Sequence, residues 1–315
     1  MESLQKTVLE SAQEVLAQVR KAVVGKDEVL LWALATILAG GHILLEDIPG
    51  VGKTTMAVAF SRALGLSYNR VQFTPDVLPS DITGYSVLDQ GTGKLTYRDG
   101  AVLCNLFLAD ELNRATSRSQ SALLEAMEEG QVTVDGISHR VPTPFTVIAT
   151  QNPAGAAGTQ LLPDSQMDRF MVRLSMGYPE PKDEVDMLLQ RQGTDPLQSV
   201  EPVVSASELM EMQEAVAQTH IAPEVAEYVV QLMDATRRSE QLIRGGSPRA
   251  TLAVVAMAKA VAQLRGRDYV VPKDVQEVFL YTVAHRVQLA PDGQEQDAKQ
   301  VLKNLLGKVR PPKLH

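Results

Sequence analysis

The feature that most constrains this chain is a glycine-rich loop between a predicted strand and a predicted helix. The loop Pro49-Gly50-Val51-Gly52-Lys53-Thr54-Thr55 follows the apolar strand 42–46, and the helical pattern begins at Lys53. Glycines let backbone N–H groups close around phosphates, and the helix N-terminus adds a positive dipole. We expect Lys53 to reach the β- and γ-phosphates of a nucleotide and Thr54 to hold Mg²⁺. The general pattern begins with glycine, where this chain has Asp47.

Polar residues end two further apolar strands. The segment 106–109 is followed by Asp110 and Glu111, and the segment 145–150 is followed by Gln151 and Asn152. Strands separated by helical stretches predict a parallel sheet, with the ligand at the carboxyl ends of the strands. In this order after a phosphate loop, Asp110 is expected to ligate Mg²⁺, Glu111 to activate the attacking water and Asn152 to hold that water.

The rest of the chain predicts two hairpins and a helical C-terminal domain. One hairpin spans 86–97 around Gly91-Thr92-Gly93, and the other spans 131–141 around Asp135-Gly136. Beyond residue 178, capping residues and prolines at helix starts predict a segment that is almost entirely helical. We therefore predict an N-terminal helix and an α/β core with a parallel sheet over 1–178, followed by an all-α domain over 179–315.

Three arginines are candidates for a contact with phosphate. Arg249 lies in the first turn of a predicted helix that begins with Ser247-Pro248. Arg169 follows Asp168, and chemistry alone gives a surface salt bridge equal standing with a role in the site. Arg173 competes with Arg169 at helical spacing.

Composition and charge restrict the protein class. A formal net charge of -8 does not suit a general nucleic-acid binder, and a single cysteine leaves no internal disulfide framework. The N-terminus does not have the pattern of a signal peptide, and the longest apolar run, 29–39, is too short to span a bilayer. We expect a cytoplasmic protein without membrane insertion.

Taken together, the motifs resemble the MoxR family of AAA+ ATPases. The resemblance covers about residues 20–285 and rests on Pro49–Thr54, Gln72–Asp76, Pro79–Gly84, Asp110–Ala115, Ala149–Pro153, Leu162–Phe170 and Gly246–Ala250. Asp47 departs from the general phosphate-loop pattern, but Leu-Glu-Asp before Pro-Gly is familiar in this family.

The resemblance implies a fold, an assembly and roles that spacing does not show. The fold is an AAA+ P-loop core with an α-helical lid, and the hairpins correspond to the helix-2 insert and the pre-sensor-1 hairpin. Members form rings, commonly hexameric, with ATP between subunits. Asn152 then corresponds to sensor 1, Arg249 to sensor 2, and Arg169 to an arginine finger, while Val23, Val24 and Gly25 lie near the adenine. Such proteins act as chaperone-like motors, often with a partner that carries a von Willebrand factor A (VWA) domain.

The resulting hypothesis is a ring-forming, Mg²⁺-dependent ATPase that remodels or matures protein complexes. Its expected catalytic residues are Glu111, Asn152, Arg169 and Arg249; its ATP-binding residues are Val24, Gly25, Asp47, Pro49, Gly50, Val51, Gly52, Lys53, Thr54 and Thr55; and its metal ligands are Thr54 and Asp110. Alternatives are the motor subunit of a magnesium chelatase, an MCM-like nucleic-acid motor, and a nucleotide-gated scaffold with negligible turnover. The acidic charge argues against the nucleic-acid motor, and an intact Glu111 and Asn152 argue against the scaffold.

Overall fold

The computed structural model describes residues 6–91, 93–152, 162–190, 195–291 and 297–313. Numbered along the chain, the strands are β1 (Ile43–Glu46), β2 (Tyr68–Gln72), β3 (Gly84–Leu88), β4 (Leu95–Asp99), β5 (Leu106–Asp110), β6 (Gln131–Val134), β7 (Ile137–Arg140), β8 (Thr146–Gln151), β9 (Val172–Leu174), β10 (Leu242–Arg244) and β11 (Gln288–Leu289). The helices are α1 (Val8–Arg20), α2 (Asp27–Leu38), α3 (Lys53–Ala63), α4 (Pro79–Thr83), α5 (Ser117–Glu129), α6 (Asp164–Met167), α7 (Pro181–Gln190), α8 (Ala206–Gln218), α9 (Pro223–Arg238), α10 (Pro248–Leu264), α11 (Pro272–Val283) and α12 (Ala298–Lys308).

A five-stranded parallel sheet organises the N-terminal part in the order β2-β5-β8-β1-β9. Ile43 of β1 pairs with Ile148 on one side and with Val172 on the other. Because every strand runs the same way, the loops after β1, β5 and β8 leave the sheet at one edge. The predicted α/β class with a parallel sheet is confirmed, and the candidate site lies at the expected edge.

The sequence prediction missed the two outer strands of this sheet. In β2 the side chains of Asn69, Arg70 and Gln72 are exposed, so the strand lacks the apolar run that marked the inner strands. The other edge strand, β9, is only three residues long. Edge strands need fewer buried side chains than central ones, which explains why hydrophobic pattern alone did not find them.

Apolar side chains cover both faces of the sheet. Leu108 and Ile148 belong to the core cluster that also contains α1, α2, α3 and most of the C-terminal helices. Phe107 and Val147, one position earlier on the same strands, belong to a second cluster with α5. This alternation is what a strand buried on both faces produces, and it holds the inner strands rigidly in register.

Local capping chemistry sets the starts of the C-terminal helices. Ser205 caps α8 in a reciprocal capping box with Glu208, as predicted. Pro223, Pro248 and Pro272 are the first residues of α9, α10 and α11, which confirms the helix starts read from the prolines.

The two hairpins form as predicted and contact each other. β3 pairs with β4 from Gly84–Asp99 to Leu88–Leu95, and β6 pairs with β7 across Asp135-Gly136. The Tyr97 ring stacks on the His139 ring with centroids 3.6 Å apart and planes 11° apart. Thr92, in the predicted turn of the first hairpin, lies outside the described residues.

The C-terminal part is helical, and a short antiparallel pair of strands, β10 and β11, supplements the predicted all-α lid. This C-terminal part packs on the N-terminal core through α10, which contacts α1 and α2. The boundary at residue 178 stays a prediction. None of the helices in the described part of the chain has both the length and the apolar composition to cross a bilayer.

Candidate nucleotide site

The loop after β1 has the backbone of a phosphate cradle. Gly50 and Gly52 adopt φ values of 86° and 93°, a left-handed region that a side chain would strain. Gly52 is also the N-cap of α3, so the first N–H groups of that helix are directed out of its N-terminus, toward the loop. These two glycines therefore serve the backbone conformation, and the helix end supplies the positive dipole.

Lys53 is buried beside three acidic residues. Its side chain is only 7% exposed, and Nζ donates to the backbone oxygen of Asp47 at 2.9 Å. Burial lowers the pKa of Lys53, while the charges of Asp47, Asp110 and Glu111 oppose that shift. A buried ammonium with a single carbonyl partner in the described structure is suited to binding a further anion.

Asp47 has a different position from that expected of a phosphate ligand. Its carboxylate accepts from Ser175 Oγ at 2.8 Å, from the Met176 N–H at 2.5 Å and from the Gly177 N–H at 3.1 Å. The side chain thus ties the start of the loop to the segment after β9, and the backbone oxygen orients Lys53. Its φ is not positive, so the glycine of the general pattern is not required there by backbone conformation.

The Asp110 carboxylate is fixed by two neighbours. Oδ1 accepts from the Thr150 hydroxyl at 2.7 Å, and Oδ2 accepts from the Arg70 guanidinium at 2.7 Å. The Thr150 oxygen also accepts from the N–H of Glu111 at 2.8 Å. One hydroxyl on β8 therefore links the two acidic residues at the end of β5.

Glu111 has an uncommon backbone conformation, and polar side chains hold its carboxylate. Its φ is 57°, in the left-handed region. Its carboxylate accepts from Arg114 Nη1 at 2.8 Å and from Asn152 Nδ2 at 3.2 Å. Burial raises the pKa of Glu111, but hydrogen bonds from Arg114, Asn152 and Gln72 outweigh it and leave the pKa below its usual range. The group is therefore ionised at neutral pH, as an acceptor of a water proton must be.

Asn152 reaches Glu111 because its own backbone is braced. Asn113, which is 3% exposed, donates from Nδ2 to the Asn152 oxygen at 3.2 Å and accepts from the Asn152 N–H at 3.4 Å. The sequence placed Asp110, Glu111 and Asn152 at one sheet edge, and the structure brings them together. Pro153, quoted with Asn152 in the sequence motif, lies outside the described residues.

The turn expected near the adenine packs against α7. Gly25 has φ of 68°, and a Cβ there would lie 1.9 Å from Oδ2 of Asp183. Lys26 Nζ donates to the Tyr178 oxygen at 2.6 Å. These contacts place Val24 and Gly25 next to the junction that leads into α7.

The arginines lie apart from this edge or are bound elsewhere. Arg169 precedes β9, at the amino-end edge of the sheet, and its Nη2 lies 3.0 Å from Glu128 Oε2. Arg249 Nη2 lies 2.5 Å from Oε1 of the same glutamate. Arg173 pairs with Glu46 at 3.0 Å. Arg169 and Arg249 are therefore at the opposite edge of the sheet from Lys53, and the structure does not bring them to the phosphate loop of their own chain.

The residues present fit a nucleotide with Mg²⁺. The Thr54 hydroxyl makes no hydrogen bond within the described part of the chain, and Asp110 offers carboxylate oxygens near Lys53. The described residues contain no group of three or more His, Cys, Asp or Glu side chains that could hold a metal by themselves. In nucleotide sites Mg²⁺ is typically bound by only a few protein side chains together with phosphate oxygens.

Sequence reasoning missed three contributors to these contacts. Thr150 was predicted only to lie in a strand, and Asn113 was noted only as part of a sequence motif. No role was predicted for Glu128. The contact between Thr150 and Asp110 could have been predicted. Ala109 pairs with Ala149 across the parallel strands, so the residues that follow them, Asp110 and Thr150, are neighbours. The sequence around Glu128 does not indicate its partners, because they come from distant parts of the chain.

Comparison with known proteins identifies the family. Residues 42–172 match the model of the ATPase family associated with various cellular activities (AAA), and residues 234–305 match the AAA lid domain. Chaperone MoxR1 of Mycobacterium tuberculosis is 39% identical over 289 residues, which cover 89% of this chain and 76% of that protein. The chain belongs to the MoxR family of AAA+ ATPases. Its similarity extends to the protein YeaC of Bacillus subtilis, 40% identical over 95% of this chain and 94% of that one.

A solved structure supports the same conclusion for the whole MoxR-type fold. A candidate ATPase of Cytophaga hutchinsonii superposes with a TM-score of 0.89 at 33% identity, over 97% of this chain and 96% of that one. The AAA+ core with its lid is thus shown, and membership of the MoxR family implies nucleotide binding.

Proposed function

We propose that this protein hydrolyses ATP in a Mg²⁺-dependent reaction within a ring of identical subunits, six by analogy with the family, and uses the energy to remodel protein complexes. The observation that carries the proposal is the hydrogen-bonded set Asp110–Thr150–Glu111–Asn152 beside the buried Lys53. Phosphate binding alone would need only the loop. Hydrolysis needs, in addition, an ionised carboxylate next to an amide and near the loop lysine.

Each residue has a chemical task in this reaction. Lys53 and the N–H groups of the loop neutralise the phosphates, and Thr54 and Asp110 would hold Mg²⁺, which neutralises charge on the transferring phosphoryl group. Glu111 accepts a proton from the attacking water, and Asn152 orients the water without adding negative charge. Arg114 keeps the Glu111 carboxylate in place through its 2.8 Å contact.

Arg169 and Arg249 supply positive charge from a neighbouring subunit in this proposal. Both lie at the sheet edge opposite Lys53, and both side chains are partly exposed, at 27% and 49%. A site split between subunits makes hydrolysis depend on assembly. The Arg169 side chain is the proposed finger; Arg173, which is paired with Glu46 inside its own subunit, is the weaker candidate.

The client and partner are proposed from the relatives. A relative is named as a chaperone, which supports protein complexes as the client. The resemblance to the MoxR family suggests a protein that contains a VWA domain as the partner, and we propose that both act in the cytoplasm. The acidic net charge does not favour nucleic acid as the client. Capture of partners with the Glu111→Gln protein in ATP, against Lys53→Ala as control, tests this point by mass spectrometry. A VWA protein absent from the ATP-trapped sample, or equally present in both samples, would argue against the partner.

The central experiment separates nucleotide binding from hydrolysis. Glu111→Gln keeps the size of the side chain but cannot accept the proton, so we expect ATP binding close to that of the wild type and a phosphate-release rate at least about a hundredfold lower. Lys53→Ala should abolish ATP binding. Glu227→Gln, an exposed glutamate of α9, is the matched control and should keep the wild-type rate. Unchanged hydrolysis in Glu111→Gln would overturn the assignment.

A further inference from the structure

Glu128 joins the two arginines that we assign to a neighbour's phosphate. Its Oε2 lies 3.0 Å from Arg169 Nη2, and its Oε1 lies 2.5 Å from Arg249 Nη2. Each carboxylate oxygen therefore serves one guanidinium. One anion between two guanidiniums is also the arrangement in which two arginines would hold a phosphate.

The position of Glu128 runs against local helix chemistry. It lies in the last turn of α5, where the helix dipole disfavours negative charge, and Glu129 follows it while no basic residue compensates within that turn. The arginines that compensate come from elsewhere: Arg169 precedes β9, and Arg249 is in the first turn of α10. A residue that violates a local preference and is satisfied only by two distant functional side chains is itself a candidate for a functional role.

The three side chains face an open pocket. Its volume is 560 Å³, and its lining includes Glu128, Arg169, Arg249 and Arg286. Glu128 is 29% exposed, so a ligand that enters the pocket can replace it on the arginines. Arg286 is occupied by its own subunit, since Nη2 donates to the Phe170 oxygen at 2.7 Å.

We propose that Glu128 takes the place of the neighbouring subunit's phosphate in the free subunit: it holds Arg169 and Arg249 side by side and is displaced by the phosphate of bound ATP when subunits assemble. Glu128 is then a positioning residue that also opposes premature assembly, and it sets the subunit concentration at which hydrolysis begins. This inference depends on the proposed function for the trans role of the arginines. It adds the group that occupies them when no neighbour is present.

The size of the effect follows from competition. While Glu128 holds the arginines, only a fraction of the subunits offers them to a neighbour, and the apparent dissociation constant rises by the inverse of that fraction. Partly exposed ion pairs such as these contribute modest stability, so we expect a change of about fivefold.

The test compares Glu128→Gln with the wild-type full chain. Phosphate release at saturating ATP and Mg²⁺ is measured against subunit concentration, and assembly in ATP is followed in parallel by sedimentation velocity. We expect the half-maximal concentration of Glu128→Gln to be about fivefold lower, with a per-subunit rate at saturation no lower than that of the wild type. Glu129→Gln removes the same charge one residue away; Glu129 forms no ion pair in the described structure, so no shift is expected.

Two further variants keep the outcome decisive. Glu128→Asp retains the charge on a shorter side chain and should give a smaller shift, and it replaces Glu128→Gln if that protein does not fold. In the Arg169→Ala background the shift caused by Glu128→Gln should shrink, which a general packing effect would not do. An unchanged or higher half-maximal concentration in folded Glu128→Gln overturns the inference. If the wild type assembles in ATP without hydrolysing it, the proposed function is contradicted instead. The effect of Glu128→Gln on assembly is then still tested by sedimentation velocity.

Discussion

Asp47 offers a direct test of structure against sequence pattern. The variant Asp47→Gly restores the first glycine of the general phosphate-loop pattern, so pattern alone predicts a neutral or favourable change. The structure predicts the opposite, because the carboxylate accepts three hydrogen bonds from Ser175, Met176 and Gly177.

The expected loss can be estimated from those contacts. The Met176 N–H is buried and the Gly177 N–H is partly buried, and an unsatisfied buried donor costs about 1–3 kcal/mol. A glycine adds about 0.5–1 kcal/mol through the greater freedom of the unfolded chain. We therefore expect Asp47→Gly to lower the free energy of unfolding by about 3 kcal/mol.

Two measurements report this loss at different levels. The urea midpoint measures stability of the chain, and hydrogen–deuterium exchange of the peptide that contains residues 175–177 measures the local opening. Asp268→Gly is the control, since Asp268 is exposed and its carboxylate makes no hydrogen bond or ion pair within the described residues. If Asp47→Gly were as stable as the wild type and exchange at 175–177 were unchanged, the structural role given to Asp47 would be wrong.

Three more predictions follow from contacts of the site and core. Thr150→Val removes the hydroxyl between the two acidic residues at the end of β5, and we expect turnover to fall about tenfold with nucleotide affinity nearly unchanged, measured by phosphate release and nucleotide titration. Arg169→Ala should lose about 10³-fold in turnover, and mixing it with Lys53→Ala subunits should restore part of the rate; no recovery in any mixture would argue against a trans role. Burial lowers the pKa of His42 to about 4, so the folded state resists its protonation. Stability from this group is complete above pH 6.5 and falls by about 1.4 kcal/mol per pH unit between 6.5 and 4, and urea midpoints of His42→Gln should show a smaller pH slope than those of the wild type.

The residues at the carboxyl edge of the sheet were more predictable than the side chains that contact them. Lys53, Asp110, Glu111 and Asn152 were readable because each follows or precedes a strand with a strong apolar pattern. In a parallel sheet those ends must meet. The strands that carried this information, β1, β5 and β8, are the buried central ones, whose patterns are the strongest.

The remainder depends on contacts between distant segments. β2 and β9 are edge strands with polar or short sequences, so local pattern does not reveal them. The opposite-edge position of Arg169 follows from the place of β9 in the sheet, and its pairing with Glu128 follows from where α5 ends. Neither spacing nor residue type contains that three-dimensional information.

The left-handed backbone of Glu111 has an evolutionary consequence. A glutamate at φ of 57° has a higher conformational energy than glycine or asparagine, which adopt this region readily. Both replacements would relax the backbone and remove the carboxylate. A selection for heat resistance alone should therefore enrich glycine or asparagine at position 111, and a selection for turnover should retain glutamate. If Glu111 has the role that we propose, stability and activity favour different residues at this one position, and the natural sequence carries the residue that the proposed reaction needs.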